Sequence, residues 1–322
     1  MMSWPDFKYK QIIIHKTIGE KERLRFRADN LIIEDVEGKV LVQQSCHKIF
    51  AVFIIGDTTL TSVIIKKAAA FSFPIILMNH NFKVVSRINC VAEGNTLLRR
   101  VQYSSSLDNL MIAKELIRQK IKNQSKLLGV LRYQSIEDKE ILQKLKTIDV
   151  DVAKDIHELM GIEGSASKMF FSAYFRPLGW KRREPRCKRD IYNLLLDIGY
   201  TYLFNLVEAM LCLYGFDLYQ GVLHTNFYQR KSLVCDIVEP FRCIIDRRLR
   251  KAYNLGQIDE KDFFFSKGQW ALEYKNQEKY TKLFVRDLMD EKEKIFTYCQ
   301  QYYRWLMKKK SVQEFPEYNV AD

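Results

Sequence analysis

The sequence predicts an α+β protein in which a small β-rich N-terminal domain is followed by a larger all-α domain. Between residues 11 and about 90, short runs rich in Ile, Val and Phe alternate with turn signals. From Thr96 onward, apolar residues recur instead at helical spacing, as at Ile112, Leu116 and Ile117. The part of the chain after Thr96, about two-thirds of its length, contains nine of the thirteen glycines and four of the six prolines. So few helix-breaking residues leave room for long helices.

The N-terminal runs predict strands with one helix among them. In chain order the expected strands are QIIIHKT, RLRFR, NLIIEDV, KVLVQQ, AVFII, PIILMN and FKVVSRI. The run from Ser62 to Ser72 is predicted to be helical, because its alanines and apolar spacing suit a helix better than a strand. Gly94 interrupts the pattern, so the first domain is expected to cover residues 1–93.

The second domain, residues 94–310, is expected to be all helical. Helices are predicted near 96–122, 124–133, 137–145, 149–159, 164–175, 188–215, 232–252, 258–265 and 275–309. The last segment, SVQEFPEYNVAD, contains few apolar side chains and follows three consecutive lysines. Residues 311–322 are therefore predicted to be a flexible tail.

The charge balance points to a polyanionic partner. Lys and Arg number 52 against 39 Asp and Glu, which gives a net charge of +13. A basic surface attracts nucleic acid through steering and counterion release, although many basic proteins bind nothing specific. Membrane association is disfavoured because no basic amphipathic segment, no signal pattern and no apolar run of ~18 residues stands out. Seven cysteines without a CxxC pair are typical of reduced thiols, so a cytoplasmic location is expected.

A histidine and two carboxylates gather in one short segment, GVLHTNFYQRKSLVCDIVEPFR, residues 221–242. His224, Asp236 and Glu239 form a ligand set suited to Mg²⁺ or Mn²⁺, ions that assist phosphoryl chemistry. Their spacing would place Asp236 and Glu239 on one face of a helix, and Pro240 would kink that helix and re-aim Glu239. On spacing alone, a solvated face or a structural ion pair is the more common explanation. A zinc hydrolase is disfavoured, since it would usually need more His or Cys ligands.

A second segment, GIEGSASKMFF at residues 161–171, places Glu163 between two glycines, where backbone can approach a ligand closely. The two segments, in this order, resemble the CRISPR-associated adaptation integrases, the "Cas one" family. The family pattern is similar to G-x-E-G-x-A with an aromatic pair, then an Asn-bearing helix, then H…S-L-V-x-D-x-x-E-P-F-R. DIYNLLLDIGYTYL, which contains Asn193, resembles the intervening helix. Lys168 and Phe170 stand where members often carry Arg and Tyr, and neither change removes a candidate ligand.

The resemblance implies a metal-dependent DNA integrase of CRISPR adaptation in a prokaryotic cytoplasm, with the larger all-α domain as the catalytic domain. The 3′-hydroxyl of an incoming spacer fragment would attack a phosphodiester at the edge of a repeat. By motif, Glu163, His224 and Glu239 would bind Mg²⁺ or Mn²⁺. Asp236 would be a further catalytic residue, either touching the metal or orienting His224. An ion pair with Arg230 or Lys231 is the alternative role for Asp236.

The resemblance also implies partners. These are double-stranded DNA as fragment and array, a homodimer formed largely through the β-rich domain, and a small second adaptation protein, "Cas two", that bridges two dimers. Two other functions remain open: a general metal-dependent nuclease on branched or single-stranded DNA, and a catalytically silent nucleic-acid-binding scaffold. The presence of Glu163, His224, Asp236 and Glu239 together argues against the scaffold.

Cations near these motifs are candidate phosphate contacts, which position DNA without reading its sequence. A basic run from Lys181 to Arg189 follows the Glu163 segment, and a solvated loop explains it about as well. The two cations directly before Ser232 lie between candidate ligands in the chain and are better placed for the scissile phosphate. The candidates are Lys168, Arg182, Arg183, Arg186, Arg230, Lys231, Arg242 and Arg248, and for Arg248 a charged outer helix face is the alternative.

Overall fold

The N-terminal part of the protein consists of short strands with two helices. A computed structural model describes residues 4–17, 22–80, 82–88, 95–104, 107–224 and 227–320. The strands are β1 (Gln11–Lys16), β2 (Arg23–Arg27), β3 (Asn30–Glu34), β4 (Val40–Ser45), β5 (Ile49–Ile55), β6 (Ile75–Met78) and β7 (Val84–Ile88). The helices are α1 (Trp4–Phe7) and α2 (Ser62–Ala70). The predicted strands and the helix within 62–72 are confirmed.

These strands form two sheets around a small core. One sheet has the order β1-β5-β6-β7, with β5 parallel to β1 and β6, and β7 antiparallel to β6. The other is the antiparallel meander β2-β3-β4. Strand β5 is buried along its whole length, which explains its continuous apolar sequence. One face packs with Ile64 of α2, and on the other Phe53 meets Tyr202 of the helical part at a ring distance of 5.3 Å.

The C-terminal part is mostly helical. Its helices are α3 (Thr96–Gln102), α4 (Asn109–Gly129), α5 (Ile136–Lys146), α6 (Ile156–Tyr174), α7 (Ile191–Cys212), α8 (Ser232–Ile237), α9 (Arg242–Asn254), α10 (Gln277–Asp290) and α11 (Lys292–Met307). The α+β fold class is confirmed. A hairpin of β8 (Phe263–Ser266) and β9 (Gln269–Leu272) interrupts the helices, so the helix predicted near 258–265 is wrong. Lys267 and Gly268 both have positive φ, as a tight two-residue hairpin turn requires.

Several predicted helix bounds also differ. Helix α6 continues through residues 160–163, where a break between two helices was predicted, because a helix tolerates a glycine such as Gly161 at a cost of about 1 kcal/mol. The helix predicted over 232–252 is split by a 3₁₀ turn, Glu239–Phe241. Pro240 accounts for this split, because it has no N–H to continue the hydrogen-bond ladder.

The predicted flexible tail is packed over residues 311–320. Phe315, Tyr318 and Val320 are buried. The side chain of Gln119 on α4 donates to Pro316 O and accepts from the Tyr318 N–H, at 2.8 and 3.0 Å. These three apolar residues therefore anchor an otherwise polar segment. They are too few to form a recognisable helical or strand periodicity in the sequence. Residues 321 and 322 lie outside the described part of the chain.

Helix α7 passes the length and composition test for a membrane span, alone among the described residues. It is the core helix of this fold, since 78% of its apolar window is buried inside the protein. The apolar character of α7 is explained by its neighbours, as at Gly199, where an added Cβ would lie 2.5 Å from Ile245 Cγ2.

Candidate active site

Two glutamates from different elements converge on one ammonium group. Lys120 on α4 donates from Nζ to Glu163 Oε1 on α6, and to Glu239 Oε2 in the turn after α8, the second at 2.6 Å. Ser167, one turn after Glu163, donates to the same Glu163 oxygen at 2.8 Å. Arg242 Nε donates to Glu239 Oε2 at 2.9 Å. Helical spacing places Ser167 beside Glu163, and the Pro240 turn aims Glu239 at α4.

The charges of this cluster support one another. Burial alone would raise the pKa of Glu239, whose side chain is 4% exposed, but Arg242 and Lys120 outweigh burial and lower that pKa to about 2. Burial alone would lower the pKa of Lys120, yet Glu239 and Glu163 raise it. Glu239 is therefore ionised at neutral pH and suited to hold a cation, not to exchange a proton.

His224 is held by Asp236. Asp236 Oδ1 lies 2.7 Å from His224 Nδ1, and its oxygens accept the backbone N–H groups of Val222, Leu223 and His224 at 2.6–3.1 Å. Three backbone N–H groups donate to this carboxylate, and an ionised carboxylate only accepts hydrogen bonds. In a neutral imidazole the proton therefore belongs on Nδ1, facing Asp236, and Nε2 keeps a lone pair. Both oxygens of the fully buried Asp236 are occupied, which assigns it to orienting His224 and the preceding loop.

Gly221 is required for this loop. A Cβ at Gly221 would lie 2.6 Å from Ser232 Cβ, 2.8 Å from Asp236 Oδ2 and 2.9 Å from His224 O. These distances are shorter than van der Waals contact, so any side chain would push the loop off the carboxylate. Glycine thus allows the backbone N–H groups to reach Asp236.

The metal-ligand prediction can be compared with this geometry. Across the described ranges, no three His, Cys, Asp or Glu side chains form a ready metal cluster. Glu163, His224 and Glu239 nevertheless line one cleft of about 570 Å³, and a positive charge, the Lys120 ammonium, stands where the two carboxylates meet. Two carboxylates and a neutral imidazole are the donor chemistry that Mg²⁺ or Mn²⁺ accepts, so the residues fit such an ion.

The cations predicted to contact DNA fall into two groups. Four of them line the cleft: Lys168, Arg182, Arg183 and Arg242. Lys168 and Arg182 are exposed, while Arg183 is held by Asn193 Oδ1 at 2.8 Å and Asp197 Oδ1 at 2.5 Å. Asn193, singled out in the sequence, therefore fixes the segment that carries Arg183.

The other four lie outside the lining of the cleft. Arg186 is exposed at a neighbouring cavity, and Arg230 donates to Ser232 Oγ at 3.3 Å. Lys231 forms a mostly buried ion pair with Glu208, and Arg248 donates to Gln257 Oε1 at 2.6 Å. Both side chains are partly buried and already have partners inside the fold, which leaves them less available to phosphates than Lys168 or Arg182. Their role as phosphate contacts stays a prediction.

Two site residues gave no sequence signal. Lys120 lies on a helix without a motif, and Asp246 lies one helical turn after Arg242. Asp246 is buried at the cleft and accepts from Tyr200 Oη at 2.5 Å, and burial raises its pKa to about 7. The Tyr200 ring in turn receives the guanidinium of Arg242 at 4.8 Å. Only the spatial convergence of α4, α7 and α9 reveals these groups.

Carboxylates and a histidine that line a cleft with basic residues at its rim are the chemistry typical of proteins that act on phosphodiesters. The family model described as "CRISPR associated protein Cas1" matches residues 17–286. The chain is 31% identical over 226 residues to "CRISPR-associated endonuclease Cas1 1" of Thermodesulfovibrio yellowstonii, covering 66% of this chain and 71% of that protein. It is 29% identical to a like-named protein of Moorella thermoacetica, covering 71% and 72%. The chain belongs to the Cas1 family.

Solved structures share the fold. A CAS1 protein from Thermotoga maritima superposes with a TM-score of 0.77 at 19% identity, covering 97% of this chain and 99% of that one. A structure titled "Casposase bound to integration product" gives a TM-score of 0.76 at 20% identity, covering 97% and 96%. A "Cas6-RT-Cas1--Cas2 complex" gives 0.80 at 20% identity, and this chain covers 36% of that chain. At these identities the likeness concerns the fold alone.

Proposed function

We propose that this chain is a metal-dependent DNA integrase and endonuclease of CRISPR adaptation. The observation that carries the proposal is the convergence of Glu163 and Glu239 on one positive charge, beside an oriented His224, in a cleft with basic residues at its rim. Membership of a family whose relatives are named endonucleases supports the enzyme class.

Each group has a role in joining a 3′-hydroxyl to a phosphodiester. Glu163, Glu239 and His224 Nε2 would hold Mg²⁺ or Mn²⁺, which supplies Lewis-acid stabilisation of the charge that develops on the phosphoryl oxygens. Asp236 keeps His224 in the tautomer with a free Nε2. Arg242 holds Glu239 ionised, and Lys168 and Arg182 at the rim would position phosphates.

The reaction needs no nucleophile from the protein. The 3′-hydroxyl oxygen of the incoming fragment forms a bond to phosphorus while the bond to the adjacent 3′-oxygen of the target breaks. The proton of the attacking hydroxyl is released, and the leaving oxygen takes up a proton to become a new 3′-hydroxyl. Water in place of the hydroxyl would give cleavage, and this nuclease reaction is the second candidate, in keeping with the word endonuclease in the relatives' names.

The proposal includes partners and location. Titles of structural neighbours name a Cas1–Cas2 complex, an integration product and Cas1 with DNA. By analogy, this chain would act on double-stranded DNA in a prokaryotic cytoplasm. It would act as a homodimer formed largely through the β-rich part, two such dimers being bridged by a small Cas2-type protein. The basic rim of the cleft and the net charge of +13 are consistent with a DNA substrate.

Strand transfer tests the proposal. A labelled duplex with free 3′-hydroxyls is incubated with a plasmid that carries a CRISPR array, with Mn²⁺ or Mg²⁺, with and without the Cas2-type partner. Joined product is expected for the wild type and for Glu140→Gln, an exposed glutamate on α5. Loss of product is expected for Glu163→Gln, for His224→Ala and in EDTA. Cleavage without joining would favour the nuclease, and DNA binding without chemistry would leave a scaffold.

A further inference from the structure

Residues 311–320, the C-terminal strap, dock on α4 through side-chain amides. The side chain of Asn123 accepts the Val320 N–H at 2.9 Å and donates to Tyr318 O at 3.0 Å. Gln119 makes the equivalent pair of bonds to Pro316 and Tyr318, and Lys126 Nζ donates to Val320 O at 2.9 Å. Asn123 and Gln119 are buried, so these bonds are shielded from water and give the strap a fixed register.

The strap is connected to the turn that carries Glu239. The amide of Asn123 that donates to Tyr318 O also donates to Pro240 O, at 3.1 Å. One side chain therefore joins the strap to the residue directly after Glu239. Lys120 lies one turn earlier on the same helix and holds the Glu239 carboxylate. The strap and the carboxylate are thus fixed by neighbouring turns of α4.

A second contact reaches the same turn independently. The ring of Tyr318 packs edge-on against Phe241, with 4.6 Å between ring centroids, and both rings are almost fully buried. The Tyr318 hydroxyl donates to Glu291 Oε2 at 3.3 Å. Tyr318 is consequently wedged between the turn and the start of α11, and any movement of the strap removes support from Phe241.

We propose that the strap is a positioning element for the active site, with Tyr318 and Asn123 as positioning residues. It holds the Glu239–Phe241 turn at the register in which Glu239 faces Lys120 and Glu163. The strap lies outside residues 17–286, over which the family model matches. The inference rests on the proposed function for its activity readout, and a backbone measurement tests the positioning without it.

The test compares three variants of the full chain. Tyr318→Leu keeps apolar bulk but loses the ring contact and the hydroxyl, while Tyr318→Phe keeps the ring. Lys122→Ala removes only the exposed ion pair of the strap, Lys122 with Glu317. Hydrogen exchange of the amides of Val238 and Phe241 is followed by mass spectrometry. Strand-transfer rate and DNA affinity are measured in parallel.

For Tyr318→Leu, the turn amides should exchange faster while those of α6 and α7 keep their protection. The joining rate should fall about 10- to 100-fold at unchanged DNA affinity, the usual cost of losing support behind a ligand. Tyr318→Phe and Lys122→Ala should resemble the wild type. If Tyr318→Leu is too unstable to purify, Tyr318→Trp, whose larger ring would overfill the buried site, should also raise the exchange of the turn amides relative to those of α6 and α7.

Unchanged exchange at the turn, or an equal rise in all helices, would overturn the proposal, as would faster exchange with an unchanged joining rate. A wild type that joins no DNA under any metal condition would refute the proposed function instead, and the exchange data would still decide whether the strap holds the turn.

Discussion

Replacing Lys120 by methionine tests whether its ammonium stands where a divalent cation binds. The side chain is 9% exposed and contacts both Glu163 and Glu239. Methionine keeps similar apolar length but removes the charge. Glu239, 4% exposed, would then keep Arg242 as its one ion-pair partner among the described residues.

The expected loss is large without metal. Removing one partner of a buried ion pair costs about 3–5 kcal/mol of unfolding free energy, because the remaining charge is left uncompensated. Lys122→Met, two residues away on the same helix, is the matched control. Its partner is Glu317, the two side chains are 57% and 52% exposed, and such a surface pair contributes about 0–1 kcal/mol.

Metal should recover part of the loss. An ion at 100 times its dissociation constant adds about 2.7 kcal/mol to the stability of the state that binds it. The Lys120→Met protein offers two carboxylates without a competing ammonium, so Mn²⁺ should stabilise it more than it stabilises the wild type or Lys122→Met.

Urea unfolding, followed by circular dichroism in EDTA and in MnCl₂, measures these differences. A Lys120→Met protein that in EDTA is no less stable than Lys122→Met would show that the ammonium does not compensate the two glutamates. Equal stabilisation of all three proteins by Mn²⁺ would show that the ion does not bind where the ammonium lies.

Three further predictions concern the support of the site. Gly221→Ala should abolish strand transfer and lower stability by about 1–3 kcal/mol, because the new Cβ meets Asp236 Oδ2 at 2.8 Å, and an active, stable variant would contradict this. Asp246, with a folded-state pKa of about 7, contributes stability that is complete below its unfolded-state pKa and is lost as pH rises through 7. Between pH 5 and pH 8, the unfolding free energy of Asp246→Asn, measured by thermal unfolding, should therefore rise by about 2 kcal/mol relative to that of the wild type. A difference that does not change with pH would be inconsistent with a buried proton on Asp246. Gly164→Ala should stabilise α6 by about 1 kcal/mol, since the added Cβ would meet no atom of the described residues within 4 Å. The same variant should nevertheless slow joining, and full activity would contradict a close approach of a ligand to this glycine.

The sequence predicted the strands and most helices because their periodicity is local. β5 is an unbroken apolar run, and α4 repeats Ile112, Leu116 and Ile117 along one face. The hairpin β8–β9 was missed because FFFS reads equally well as a buried helical turn, and only the pairing with QWAL distinguishes the two. The strap was missed because its anchors, Tyr318 among them, are single residues whose partners lie almost two hundred positions earlier, as in the bond from Tyr318 N–H to Gln119.

The candidate site divides along the same line. Glu163, His224, Asp236 and Glu239 lie in the two segments that carry the family resemblance, which is what singled them out, and the structure places all four around the Lys120 cluster or the loop beside it. Lys120 has no such motif in the sequence. Its position between the two carboxylates is seen only in the structure, where α4, α6 and the turn after α8 meet. Lys231 and Arg248 show the converse. Their position near the motif suggested DNA contacts, but within the fold Lys231 pairs with Glu208, and Arg248 pairs with Asp287 and donates to Gln257.

Under the proposed function, binding of a divalent ion would be coupled to a change of partner for Lys120. In the free protein, the carboxylates of Glu163 and Glu239 share this one ammonium, and Arg242 compensates Glu239 further. A divalent ion would bring twice the charge to the same carboxylates, so the ammonium would lose much of its attraction there. A phosphate of bound DNA is the anion that the cleft is proposed to receive, and it would offer Lys120 a new partner. We therefore expect metal and DNA to bind cooperatively, each lowering the cost of the other, and we expect Lys120→Met to abolish that cooperativity while retaining metal binding.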